Sequence, residues 1–307
     1  MEGTVKNDVK KLVCYAYISL GRLLLGLFRF MLASMEGYSD SAFRTLCHSH
    51  GADMTYTEMA HVDSFLRGSR LALEKIAVRD STPVQIQILT GREEQLEKLL
   101  CGFEPFQGFM GFNLNLSCPS REVIQQGKGA AMIKRVSKTQ RLVSLIKNYG
   151  YATSVKIRIG ANIIEKKNKV YLNSLKGVDT DIFIVHAKTA TQESSEDEDY
   201  SVFPECVDVV GKKLLIANGG IDSAEKVMTL QKIGVGGVMI GRAALSNPAL
   251  FNILRNELGF NSPLKPIPKI RELQEEYLKL QSYFQGQAEH RDNVLKALGK
   301  GVGRVHY

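Results

Sequence analysis

The chain has 307 residues, of which 44% are hydrophobic, and its formal net charge is +8. The five cysteines form no C-x-x-C pair and are odd in number, so zinc-knuckle spacing is absent and a disulfide framework is not expected. The length supports one large core, as in single-domain α/β barrels of about 250 residues. The basic excess suits a polyanionic partner, although the same charge also serves solubility.

An apolar segment near the start of the chain, residues 12–33, approaches the length of a membrane span. Arg22 lies near its middle, where an arginine costs about 2.5 to 3.5 kcal/mol on insertion scales, and no small-residue cleavage site follows. We therefore expect no membrane partner, and the cysteine pattern favours a cytoplasmic protein. We interpret residues 1–30 as an extension outside the fold, with Met31 as the true start. A peripheral amphipathic helix is the alternative.

Eight short apolar runs follow, separated by amphipathic stretches. The predicted strands are Leu32–Met35, Asp53–Thr57, Val84–Ile88, Gly111–Leu116, Ser154–Arg158, Ile182–His186, Leu214–Ala217 and Gly237–Ile240. The clearest predicted helices are Glu93–Leu100, Gln140–Asn148, Ala224–Ile233 and Pro248–Leu258. Eight parallel βα units predict an α/β fold, a (β/α)8 TIM barrel over residues 31–260, because a closed sheet pairs every strand edge. An open doubly wound sheet is the alternative, but the G-x-G-x-x-G turn expected after its first strand is missing.

Residues 261–307 are predicted to form a linker and a short helical extension. Closely spaced prolines favour an extended linker, and they are Pro263, Pro266 and Pro268. One or two helices then follow within Ile270–Tyr307, with an apolar face made of Leu273, Tyr277, Leu280 and Phe284. The acidic run Glu193–Asp199, in the loop after the sixth predicted strand, is typical of a solvated, mobile loop.

Polar residues end five successive predicted strands, from the fourth to the eighth. In a barrel these are the C-terminal strand ends, where enzymes of this fold place their chemistry. The residues are Asn115, Ser117, Cys118, Lys156, Arg158, His186, Asn218, Gly219, Gly241 and Arg242. Any one of them has a structural role as often as a catalytic one, but five strands with the same kind of ending indicate an active site.

A phosphate site is predicted from the turns after the last two strands. Asn218-Gly219-Gly220 follows the seventh strand and Gly241-Arg242 the eighth. Backbone N–H groups of such loops bind phosphate in many barrels, and an arginine adds a charge-assisted contact. Two tight turns that need glycine for conformational reasons are the alternative.

Three further residues suit the edge of a flavin ring. Lys156 would stabilise the negative charge that collects at the N1/O2 edge on reduction, and His186 lies one strand away. Gln87 lies inside an apolar strand, where a buried amide needs partners that a pyrimidine ring would supply. A lone histidine at a strand end is, however, more often structural.

Cys118, in the sequence N-L-S-C-P, is the sharpest local signal. It follows the fourth strand and precedes a proline, so it is expected on a loop at the barrel mouth. A cysteine there acts as nucleophile, metal ligand or proton donor. No neighbouring cysteine or histidine has ligand spacing, which disfavours a metal, and structural burial stays the alternative.

Several motifs resemble those of the tRNA-dihydrouridine synthases. LASMEGYSDSAFRTLCHSHGADMTYTEM is similar to their first βαβ unit, and NLNLSCPSREVIQQGKGAAMIKR is similar to their catalytic loop. SVKIRIG, VHAKT, IANGGI and GVMIGRAALSNPALF then follow in family order. The resemblance covers residues 31–258, nearly the whole predicted barrel.

The resemblance assigns roles residue by residue. It makes Cys118 the general acid that protonates uracil C5, and it implies no metal. The residues that would bind flavin mononucleotide (FMN) are Met35, Gln87, Lys156 and His186, with the phosphate held by Asn218, Gly219, Gly220, Gly241 and Arg242. The residues that would bind substrate are Asn115, Arg158 and Lys188, the last standing where the family usually has arginine.

The resemblance therefore implies a two-step reduction of uridine in tRNA. NADPH or NADH reduces FMN, the flavin passes hydride to C6, and Cys118 protonates C5 of a base that has left its stack. We expect a monomer whose C-terminal extension contacts tRNA. Two alternatives remain: a dihydroorotate-dehydrogenase-like flavin enzyme acting on a small molecule, and a flavin-less RNA-binding protein that kept the fold.

Overall fold

The computed structural model describes residues 27–301, so the predictions made for residues 1–26 and 302–307 lie outside the described residues. Within the described range, no helix has both the length and the apolar character that a membrane crossing requires. Of the apolar segment at residues 12–33, only the part from Leu27 onward is described, and it leads into the first strand.

A single sheet of nine strands, all paired in parallel, forms the centre of the described residues. In chain order the strands are β1 (Arg29–Leu32), β2 (Thr55–Tyr56), β3 (Ala60–His61), β4 (Val84–Leu89), β5 (Phe109–Leu116), β6 (Thr153–Arg158), β7 (Ile182–His186), β8 (Leu214–Asn218) and β9 (Gly237–Ile240). β4 is buried at every position, as expected of a parallel strand that is covered on both faces.

The sheet closes on itself, and this confirms the predicted barrel. β1 pairs with β9, in a register that sets Arg29 opposite Gly237. On its other edge, the Leu32 N–H donates to the Met54 carbonyl over 2.9 Å, just before β2. An open doubly wound sheet would leave these two edges apart, so that alternative is wrong.

The first strand begins at Arg29 and not at the predicted Leu32. Met35 therefore lies in the loop after the strand instead of ending it. Phe30 is fully buried, and its ring packs edge-on against Phe260 with centroids 5.7 Å apart. The sequence is apolar on both sides of Arg29, so this single charged residue did not mark the start of the strand. Arg29 and Phe30 belong to the barrel sheet, although the sequence assigned them to the extension.

The predicted second strand, Asp53–Thr57, is shorter than expected and is followed by a separate piece. β2 and β3 are short segments that both pair with β4, through Thr55–Val84 and Ala60–Ile88. The interruption between them carries Met59, which reaches the mouth of the barrel.

Helices alternate with the strands and cover the outside of the barrel. They are α1 (Ser41–Ser49), α2 (Val62–Leu66), α3 (Arg70–Ile76), α4 (Glu93–Gly102), α5 (Arg121–Gln125), α6 (Val136–Asn148), α7 (Ile163–Lys167), α8 (Val170–Gly177), α9 (Phe203–Val210), α10 (Ala224–Ile233), α11 (Arg242–Ser246), α12 (Leu250–Glu257), α13 (Ile270–Phe284) and α14 (Ala288–Ala297). Short 3-10 turns lie at Gly129–Lys134 and Tyr200–Val202. α10 has the predicted bounds, and its start is fixed by Ser223, whose hydroxyl accepts from the Lys226 N–H.

The C-terminal helices α13 and α14 pack on the barrel instead of standing apart from it. The predicted apolar face of α13 is confirmed: Leu273 and Tyr277 are fully buried, and Leu280 and Phe284 pack against the same core. Residues 258–269, between the last barrel helix and α13, form neither helix nor strand.

Candidate active site

All the residues that the sequence predicted for the site line one cavity of about 470 Å³ at the C-terminal ends of the strands. They are Met35, Gln87, Asn115, Cys118, Lys156, Arg158, His186, Lys188, Asn218, Gly219, Gly220, Gly241 and Arg242. The volume falls within the range of about 300 to 1,000 Å³ that is typical of ligand pockets. The structure brings these residues together, while the roles assigned to them stay predictions.

The loop that carries Cys118 is held by the side chain of Asn115. The Asn115 carboxamide oxygen accepts from the N–H groups of Ser117 and Cys118 over 2.8 and 2.9 Å. The Cys118 carbonyl in turn accepts from the Ala130 N–H over 3.0 Å, and a Cβ at Gly129 would lie only 2.7 Å from that carbonyl. The backbone around the partly exposed thiol is therefore fixed on both sides.

Polar side chains fill the barrel interior beneath this loop. Asn113 lies at their centre: it accepts from Gln87 Nε2 over 2.8 Å and donates to Ser154 Oγ over 2.6 Å. Gln87 Oε1 accepts from Asn115 over 2.8 Å, and the Ser154 hydroxyl donates to Gln85. The partners that the sequence analysis attributed to a flavin are thus in part supplied to Gln87 by neighbouring amides.

Two cations lie beside the Cys118 loop. Lys156 is 9% exposed, and its ammonium donates to Ser117 Oγ over 3.3 Å. Burial, together with the nearby charge of Arg158, lowers the pKa of Lys156 to about 7. Arg158 donates to the carbonyls of Ser117 and Thr189 over 3.0 and 2.7 Å. The Cys118 loop therefore contacts the basic side chains of Lys156 and Arg158, which would also attract an anionic group.

His186 lies next to these cations as a neutral imidazole. Burial lowers the pKa of His186 well below its ordinary value, and the charges of Lys156 and Arg158 act in the same direction. Its strand neighbours are Arg158 on β6 and Asn218 on β8. The ring also lies against the turn after β8, because a Cβ at Gly219 would be 2.8 Å from His186 Cδ2.

The turn after β8 requires glycine at two positions. Gly219 and Gly220 have φ of +113° and +59°, which side chains rarely allow. Asn218 fixes the turn to β9, because its amide donates to the Met239 carbonyl over 2.9 Å. We call Gly219–Gly220 the glycine turn.

One carboxylate in the site was missed by the sequence analysis. Glu198, within the run Glu193–Asp199 that we call the acidic loop, lies against the glycine turn near Lys188 and Arg242. The sequence predicted a solvated loop, and for Glu198 this is wrong because only 13% of its side chain is exposed. Nothing in the run of acids distinguishes this glutamate from the others, so no sequence signal marked it.

The family model and the relatives found by sequence agree on one family. The family model described as "Dihydrouridine synthase (Dus)" matches residues 31–303. A "Probable tRNA-dihydrouridine synthase" from Helicobacter pylori (strain ATCC 700392 / 26695) is 32% identical, over 73% of this chain and 69% of that protein. "Probable tRNA-dihydrouridine synthase 2" from Bacillus subtilis (strain 168) is 28% identical, over 87% of this chain and 89% of that protein.

Proposed function

Because the chain belongs to the dihydrouridine synthase family, we propose that it reduces the C5–C6 bond of uridines in tRNA, with FMN as cofactor and NADPH as reductant. One observation carries the proposal beyond family membership. Cys118, Lys156, His186 and the glycine turn, which come from four different strand ends, line the same cavity. The "tRNA" in the names of the relatives supports the choice of substrate.

The residues present fit a phosphate-bearing flavin. The glycine turn lines the cavity and carries no side chain that would keep a phosphate from its backbone. Lys188 and Arg242 supply positive charge there. At the other end of the cavity, Lys156 is a buried cation with a lowered pKa, and such a group gains from a negatively charged neighbour.

In the mechanism that we propose, a bound flavin, reduced by a nicotinamide cofactor, would supply the hydride for uracil C6. Cys118 holds the proton for C5 on its thiol, and Asn115 fixes the thiol's loop. Lys156 and Arg158 position the loop from below through Ser117. The uracil must leave its stack to enter the cavity, and the basic net charge of the chain favours the RNA backbone.

The test replaces Cys118 by alanine. A positioned general acid contributes about 10² to 10⁴ in rate. C118A is therefore expected to keep FMN, tRNA binding and flavin reduction by NADPH. Only its flavin reoxidation by tRNA that lacks dihydrouridine should slow by that factor, measured in an anaerobic single turnover. C101A is the matched control, because Cys101 is exposed and lies outside the cavity.

Two outcomes would contradict the proposal at different levels. An unchanged reoxidation rate in C118A would remove Cys118 from the proton transfer. A parent protein whose reduced flavin is not reoxidised by tRNA at all would reject tRNA as the substrate, and a small-molecule flavin oxidoreductase would then replace a synthase as the function.

A further inference from the structure

The acidic loop is tied across the phosphate end of the cavity by two cations. The Lys188 ammonium donates to the carbonyls of Glu193 and Ser194 over 3.3 and 3.0 Å. Arg242 donates to the same Ser194 carbonyl over 3.1 Å. The loop is therefore held against this end of the cavity, whose lining includes Lys188, Arg242, Glu193 and Ser194.

Glu198 extends from this loop into the glycine turn. A Cβ at Gly219 would lie 2.7 Å from Glu198 Cγ, and one at Gly220 would collide with the carboxylate. Glu198 Oε1 lies 3.3 Å from Lys188 Nζ and 3.9 Å from Arg242 Nη2. The carboxylate thus engages both cations and lies against the turn; the cations and the turn line the cavity, whereas Glu198 itself does not.

The hydrogen bonding of Glu198 is incomplete in this position. Oε1 is buried, yet among residues 27–301 no donor reaches it within hydrogen-bond geometry. A buried charge that lacks such bonds is held less tightly than one that has them. A phosphate with its several acceptor oxygens would satisfy Lys188 and Arg242 better. Some anion is still needed there, because Lys188 is only 2% exposed.

We propose that Glu198 is an intramolecular competitor for the cofactor phosphate. Whenever phosphate is not bound, Glu198 neutralises Lys188 and Arg242, and a phosphate in the cavity must draw these two cations away from it. Glu198 thereby sets the affinity for phosphate-bearing flavin but not for riboflavin, which has no phosphate. The inference rests on the proposed function, since it takes FMN as the cofactor.

The experiment titrates the flavin-free protein with FMN and with riboflavin, followed by flavin fluorescence. E198Q keeps the size of the side chain and removes its charge. Because the competitor is weakened, E198Q is expected to bind FMN roughly tenfold more tightly than the parent, with riboflavin affinity unchanged. D197N is the matched control, since it removes a neighbouring exposed charge from the same loop and should behave like the parent.

A second variant and a second probe keep the test decisive. E198D retains the charge on a shorter side chain that reaches less far into the glycine turn, so it should also bind FMN more tightly than the parent. Inorganic phosphate should raise the Tm of flavin-free E198Q more than that of the parent. If E198Q and E198D bind FMN no more tightly than the parent while R242A loses FMN, the inference is overturned and the flavin assignment stands. If no variant binds flavin but phosphate stabilises E198Q selectively, the proposed cofactor fails and the inference about the anion subsite holds.

Discussion

Lys156 shows how much the environment of one residue decides its chemistry. An exposed lysine keeps its proton at neutral pH, but burial and the charge of Arg158 bring the pKa of Lys156 down to about 7. In the protein without cofactor, burying the charged form of Lys156 at neutral pH therefore costs free energy. A bound anion beside the ammonium would offset that cost. A neutral Lys156 still has two N–H donors, but its hydrogen bond to the Ser117 hydroxyl is weaker without the charge, so its protonation also affects the loop of Cys118.

The lowered pKa of Lys156 predicts a pH-dependent stability. Between pH 7 and about 10 the unfolded chain binds a proton that the folded chain lacks, so the free energy of unfolding rises with pH through this window. K156M should remove most of that rise, whereas K98M, at an exposed position outside the cavity, should retain it. Chemical denaturation of the flavin-free proteins at pH 7 and pH 9 measures the difference. Parallel slopes for K156M and the parent would contradict the assignment.

At this scale the sequence predicted the cations, the thiol and the glycines, because each ends a strand whose direction is known. It did not predict the partner of each group. Asn115 was expected to contact substrate, and its hydrogen bonds to the Cys118 loop and to Gln87 were not predicted. Glu198 was missed because a loop conformation, and no local pattern, turns it inward.

At the scale of elements, α14 acts on the cavity through the loop that follows β1. His290 Nε2 lies 2.7 Å from Glu58 Oε1, and the same oxygen accepts from the Tyr38 N–H over 3.0 Å. Asn293 donates to the Gly37 carbonyl over 3.3 Å. The loop they hold begins with Met35 and Glu36 in the cavity wall. Removing the C-terminal helices would disturb this wall as well as any tRNA contact, contrary to a purely RNA-binding extension.

Two histidine–glutamate pairs join the C-terminal helices to the barrel, and they allow a test of the link between α14 and the cavity. Both His290–Glu58 and His50–Glu276 lie on that interface, but only the first touches the loop beside the cavity. H290A should weaken FMN binding severalfold, and H50A should not, as measured by flavin fluorescence.

Burial acts to lower the pKa of His290, but Glu58 outweighs it and the pKa is raised. The pair is therefore complete below the ordinary pKa of about 6.5 and is lost as pH rises through the raised value. Equal FMN affinity of H290A and H50A below that pH would reject the link.

Strand positions in the middle of the chain were predicted well, because polar residues bound each apolar run. The two errors fall where no run of polar residues bounds the strand. At β1 the apolar sequence continues upstream of Arg29, and after β2 the short strands are set by pairing with β4, which no local pattern records.

At the scale of the whole molecule, the barrel depends on residues just upstream of Met31. Phe30 is fully buried, its N–H donates to Asp53 over 2.7 Å, and the guanidinium of Arg255 lies 4.7 Å from the centre of its ring. The sequence predicted that a chain beginning at Met31 would fold, since it placed the first strand later.

The observed strand changes that expectation. A chain that begins at Met31 loses the fully buried Phe30, at a cost comparable with a buried Phe→Ala change, about 3 to 5 kcal/mol. It also loses the pairing of Arg29 with Gly237. Its Tm should lie well below that of a chain that begins at Leu27. Differential scanning calorimetry of the two proteins is the measurement, and equal Tm values would show that β1 upstream of Met31 does not stabilise the barrel.

The pairing of β1 with β9, which closes the barrel, can form only late in biosynthesis. β1 leaves the ribosome first among the strands, but its partner β9 is synthesised about 200 residues later, roughly 10 to 40 s at 5 to 20 residues per second. During that interval Phe30, Met31 and Leu32, all buried in the finished barrel, have no permanent neighbour on that edge. The nascent chain is therefore a natural client for chaperones that shield apolar segments, and codons that delay β9 would lengthen its exposure.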